Sequence, residues 1–123
     1  MNFILKEETY EIIGLCMEVH NQLGVGFLEI VYKDALEYEF QKTNIFYKRE
    51  QEYLVNYKGI VLPHKFYADF VVFDNIILEI KCTSCIVDEH IAQAINYLKV
   101  SKKKIALVVN FGETRLNYKR LIL

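Results

Sequence analysis

The stretch from Phe66 to Lys81 constrains this chain most. It reads FYADFVVFDNIILEIK, apolar except at Asp69, Asp74, Asn75, Glu79 and Lys81. Aromatic and β-branched residues flank Asp74-Asn75 on both sides. The pattern predicts two strands, Phe66–Phe73 and Ile76–Lys81, joined by a tight turn at Asp74-Asn75. Side chains on a strand alternate faces. Glu79 and Lys81 therefore share one face, and Leu78, Ile80 and Cys82 share the other. With the turn at Asp74-Asn75, Asp69 falls near the level of Glu79. Two carboxylates and one ammonium then converge in an apolar hairpin.

The rest of the chain supplies layers for that hairpin. Ile12, Ile13, Cys16, Met17, Val19, His20 and Leu23 follow a 3–4 spacing, which predicts an amphipathic helix over 7–23. Gly24-Val25-Gly26 ends it. A second helix is expected over 28–42. Its apolar stripe is Leu28, Val31, Tyr32, Ala35, Leu36 and Phe40, with Lys33, Asp34, Glu37, Glu39 and Gln41 on the other side. Strands are expected over 47–57 and 60–65, a third helix over 88–100, a buried strand over 105–110 and a closing strand over 115–123. The order is α-α-β-β-β-β-α-β-β. One helix crossing between runs of strands implies an α/β (α+β) fold, a mixed sheet flanked by helices.

The 123 residues fit a single domain spanning 1–123. A hydrophobic content of 53% excludes a disordered chain. Three Cys are too few for a disulfide scaffold, so a cytoplasmic location is expected. The opening MNFILKEETYEII carries acids where a signal peptide has an apolar run, and no membrane span is expected. The net charge of −1 is unevenly spread. Residues 99–123 hold seven bases against Glu113 alone. A basic tail of this kind suits a phosphate backbone, and it equally suits a solvated helix end and exposed strand.

Charges within an apolar strand are costly unless paired or bound to a metal. Asp69, Glu79 and the backbone carbonyl of Ile80 offer an all-oxygen donor set of the kind Mg²⁺ or Mn²⁺ prefers. Such an ion polarises a phosphoryl oxygen and acidifies water. Lys81 suits the orientation of that water or the stabilisation of developing charge. The competing reading is a simple ion pair on a solvent-facing strand.

Asp69 followed by Glu79-Ile80-Lys81 resembles the D…(D/E)-x-K core of the PD-(D/E)XK nuclease superfamily. Gly26-Phe27-Leu28-Glu29-Ile30-Val31-Tyr32 matches G-x-x-E-x-x-Y, the string that names the GxxExxY family within it. His20, His90-Ile91-Ala92-Gln93, Gln93-Ala94-Ile95-Asn96-Tyr97-Leu98 and Val109-Asn110-Phe111-Gly112 extend the match in order along the chain. The resemblance implies a restriction-endonuclease-like core, α-β-β-β-α-β, around a mixed four-stranded sheet. It implies Asp69, Glu79 and Glu29 as metal carboxylates and Lys81 as the catalytic lysine. Gln93 and Tyr97, four apart on one helix face, are implied to meet the nucleic acid, with Tyr32, His90 and His20 as further phosphate contacts or supports. It also implies Mg²⁺ or Mn²⁺ as cofactor and nucleic acid as partner, DNA ahead of RNA. A second copy of the chain or a larger protein is a further expected partner. The chain departs from the family pattern at Tyr67, where arginine is usual, and at Cys82, where a small residue is usual. The alternative is a catalytically weak or inactive module that keeps the fold and binds nucleic acid or protein.

Cys82-Thr83-Ser84-Cys85 is a C-x-x-C string. A thioredoxin-like reading lacks the proline expected after it, and a zinc reading needs two more ligands from Cys16, His20 or His90. Packing of Cys82 and a loop position for Cys85 is the simpler account.

Overall fold

A computed structural model describes residues 5–123. The first four residues of the MNFIL opening lie outside that range. Helices α1 (Lys6–Leu23) and α2 (Glu29–Lys42) precede strands β1 (Tyr47–Tyr57), β2 (Ile60–Val72) and β3 (Ile76–Lys81). Helix α3 (Asp88–Ser101) then leads to β4 (Ile105–Asn110) and β5 (Asn117–Ile122). The five strands form one sheet in the order β1-β2-β3-β4-β5. Only β3 and β4 are parallel, joined by α3; the other pairs are antiparallel.

The fold class is the expected one, with two corrections. The sheet has five strands rather than four, because β1 and β5 both join it. The segments 60–65 and 66–73 form one strand, β2, rather than two, since β1 pairs with β2 from Ile60 to Val72. Pro63, which has no N–H to donate, falls where the register slips between Leu54/Lys65 and Asn56/Val61. The β1–β2 turn is the two-residue Lys58-Gly59, both with positive φ (50° and 80°), as a right-twisted hairpin requires. The β2–β3 turn carries its positive φ values at Phe73 and Asp74 (57° and 60°), one residue earlier than expected, and closes with Asn75 N–H donating to Val72 O at 3.1 Å.

Alternation along β3 and β4 divides the core into two layers. Ile76, Leu78, Ile80, Ile105, Leu107 and Val109 face α1 and α2, packing with Ile12, Cys16, Tyr32, Leu36 and Phe40. Ile77, Ala106 and Val108 face α3, packing with Ala94, Tyr97 and Leu98. The parallel pair is thus buried on both faces, which accounts for the unbroken apolar run of β4. Among the described residues, no helix is long and apolar enough to cross a membrane.

Alternation fails at one place in β2. Phe70 and Val72 join the α1–α2 layer, while Ala68 and Val71 both join the α3 layer. The slip falls around Asp69. Across the sheet, between the Arg49–Phe70 and Gln51–Ala68 pairs, Glu50 has φ 52°. A non-glycine residue in the left-handed region within a strand is strained backbone of the kind that clusters at functional sites.

Candidate active site

The site opens where β2 and β3 separate. Their ladder ends with the Phe70–Leu78 pair. One residue further, side chains take over the backbone's partners. The Asp69 N–H donates to Glu79 Oε2 at 2.8 Å, and the Ile80 N–H donates to Asp69 Oδ2 at 2.7 Å. Each carboxylate therefore satisfies a buried amide of the opposite strand. Neither acid can turn away without orphaning that amide, at a cost of about 1–3 kcal/mol. Both residues are buried. Burial raises the Glu79 carboxyl to about 8, with the neighbouring Asp69 charge adding to the rise; the hydrogen bond from the Asp69 amide, Lys81 and Lys33 oppose it.

Lys33 holds the other oxygen of Asp69. Its Nζ donates to Asp69 Oδ1 at 3.0 Å and lies 2.6 Å from Glu50 Oε2. The residue is 8% exposed, so it does not belong to the solvent-facing side of α2 where its spacing put it. Burial works against the ammonium, but hydrogen bonds to Glu50 and Asp69 outweigh it and raise the pKa. Glu29, one helical turn earlier, is exposed and feels the charges of the same group. Its carboxyl is raised first by partial burial and then by the Asp69 charge, while Lys81 and Lys33 pull it down.

Lys81 shares the Glu79 face of β3, and its Nζ donates to Gln93 Oε1 on α3 at 2.9 Å. Tyr97, one turn beyond Gln93, is buried edge-on to Phe66 with ring centroids 5.9 Å apart. Burial first, then the charges of Glu79, Asp69 and Glu50, push its hydroxyl up to about 12. Glu29, Asp69, Glu79, Lys81, Gln93 and Tyr97 thus form one neighbourhood built from α2, β2, β3 and α3. Ile80 reaches it through its amide.

Three expected contacts have other partners. Tyr32 stacks on Phe111 at 4.7 Å and donates to Gly24 O at 2.6 Å, closing the glycine loop over the end of α1. His20 Nε2 lies 2.9 Å from Glu113 O. His90 Nδ1 accepts from the Val87 N–H at 3.2 Å, at the start of α3. Cys82 Sγ donates to Phe27 O, Cys85 is exposed, and all three cysteines are free.

Sequence reasoning missed Lys33 and Glu50. Lys33 carried a signal, since it sits four residues after Glu29 and so on the same helix face. Glu50 carried none, because its placement depends on the β1–β2 register and on a left-handed backbone.

Among the described residues, no three His, Cys, Asp or Glu side chains converge as a ready-made metal cage. The donor set nevertheless fits a hard divalent cation. A cationic ammonium already sits against Asp69, and Mg²⁺ needs only one or two carboxylates when water and substrate phosphates complete its shell. Asp69 and Glu79, joined at the end of the β2–β3 ladder, are the pair that would hold it.

The chain matches none of the curated proteins. One solved structure, that of SSO0001, superposes with a TM-score of 0.61 at 22% identity, covering 75% of this chain. The chain spans 48% of that protein's length, and the likeness establishes the fold. The family profile of the PD-(D/E)XK nucleases matches residues 6–121, from the start of α1 into β5. The interlocked Asp69 and Glu79, with Lys81 on the same strand face, lie within that span, and the chain belongs to the PD-(D/E)XK nuclease superfamily.

Proposed function

We propose that the chain hydrolyses phosphodiester bonds of nucleic acid with the help of Mg²⁺ or Mn²⁺, as a member of the GxxExxY group marked by Gly26, Glu29 and Tyr32. The observation that carries this reading is the reciprocal Asp69–Glu79 exchange at the end of the β2–β3 ladder, with Lys81 two residues beyond Glu79. When bound, the ion would polarise a phosphoryl oxygen and acidify a water.

The chain's own groups have separate tasks. Asp69 and Glu79 would hold the ion from two strands, and Glu29 would assist from α2, directly or through water. Lys81 orients the attacking water or stabilises the charge that develops on the phosphoryl oxygens. Gln93 holds the Lys81 ammonium in place. DNA is the favoured substrate. The three free thiols suit a reducing cytoplasm.

The test is cleavage of plasmid and oligonucleotide with Mg²⁺ or Mn²⁺, comparing wild type with Asp69→Ala and Glu79→Ala. Cleavage by wild type alone is expected. Equal cleavage by all three proteins would end the reading.

A further inference from the structure

Lys33 is a buried cation lodged on Asp69, the carboxylate assigned above to the ion. It is also held by Glu50, and these two acids differ. Asp69 is pinned, with Oδ2 on the Ile80 amide. The Glu50 side chain is half exposed, at 49%. An ammonium shared between one fixed interior acid and one peripheral acid has somewhere to go when a second cation arrives. That peripheral acid, on a left-handed backbone, lies 2.6 Å from Nζ.

We propose that Lys33 is a built-in counter-ion that competes with the divalent cation for Asp69, and that Glu50 is the berth that retains the ammonium when the cation binds. The proposal rests on the divalent-ion reading above and adds a regulation of the same site. Without the ion, Lys33 neutralises Asp69 and keeps the interior acid pair from repelling. With the ion, the ammonium gives up Oδ1 of Asp69 and stays on Glu50. The exchange moves one positive charge outward as a divalent one enters, so the interior never holds both cations against Asp69. An unpaired Lys33 beside the ion would be repelled, and Glu50 removes that cost.

The two variants should therefore act in opposite directions. Mn²⁺ binding is measured by calorimetry on the full chain at pH 8, without nucleic acid. Lys33→Met removes the competitor and should tighten Mn²⁺ binding about tenfold, within the usual range of site–site coupling. Glu50→Gln removes the berth and should weaken it about threefold or more. In the Lys33→Met background, Glu50→Gln should change little, because no ammonium needs housing. That non-additivity separates a berth from a direct ligand.

Equal Mn²⁺ affinity in wild type and both single variants would overturn the exchange and leave the divalent-ion reading standing. A Glu50→Gln loss that persists without Lys33 would overturn the berth. Absence of Mn²⁺ binding in every protein would overturn the exchange, which requires the ion to reach Asp69 in the free chain, while the cleavage test above decides the ion reading separately. Should Lys33→Met fail to melt cooperatively, the exposed Glu50→Gln carries the test alone, and unchanged or tighter binding by it counts against the proposal.

Discussion

Asp69 and Glu79 each hold the other's strand. The amide of Asp69 binds the Glu79 carboxylate at 2.8 Å, and the Asp69 carboxylate binds the amide next to Glu79 at 2.7 Å. A β-ladder that ends this way converts two backbone hydrogen bonds into two anchored acids. The acids gain fixed positions just beyond the last ladder pair, Phe70–Leu78.

Asp69→Asn keeps an oxygen to accept from Ile80 but turns an NH₂ toward the Lys33 ammonium, so it should fold with reduced stability while losing the charge. Cleavage is expected to fall by about two orders of magnitude or more, the size of effect seen when one electrostatic partner of a transition state is removed. Initial rates on a labelled oligonucleotide with Mg²⁺, alongside a thermal melt, check both halves of the statement.

The raised Glu79 carboxyl makes stability depend on pH. In the unfolded chain this group ionises at its ordinary value near 4.5, whereas in the folded chain it does so at about 8. Between those values the native state binds more protons, so stability falls as pH rises. In EDTA, the wild-type melting temperature should therefore drop from pH 5 to pH 8 through this group. Glu79→Gln should flatten that part of the slope. Parallel slopes in the two proteins would contradict the assignment.

Gln93→Ala should free the Lys81 ammonium without touching either acid. The expected result is a fall in kcat of about tenfold with a smaller change in KM, since a group misplaced at the chemical step affects turnover first. Steady-state kinetics on a short duplex reads the split.

Gly112 faces Thr83 so closely that a Cβ would lie 2.2 Å from the Thr83 carbonyl oxygen and 2.5 Å from its nitrogen. The clash is with backbone, and Asn110 already ties the two loops through Thr83 N and O at 3.0 Å each. Gly112→Ala should cost about 3 kcal/mol or more, at the upper end for a single methyl. Urea unfolding measures it.

Much of this protein follows from periodicity. Spacing of three and four in residues 7–42 and 88–100 marks the helices, the run at 66–81 marks a hairpin, and the apolar run at 105–110 marks a buried strand. Period two also puts Glu79 and Lys81 together, and the antiparallel partner of Glu79 is Asp69 by extension of the Phe70–Leu78 register. These are local rules, set by backbone geometry within a few residues. The strands at 47–57 and 115–123 were legible, but the single strand at 60–72 and the joining of both edge strands to one sheet were not, because they depend on what β1 and β4 have to pair with.

The environment of the acids belongs to tertiary structure alone. Lys33 looks like any solvated helix residue until α2 packs on the sheet and buries it against Asp69. Glu50 looks like one charge among several until the fold sets it 2.6 Å from the Lys33 ammonium. The order of residues along the chain determined which carboxylates would meet. Packing of a helix over a broken ladder decided which cation meets them, because electrostatic partners are chosen by distance in space and by burial, neither of which a spacing rule contains.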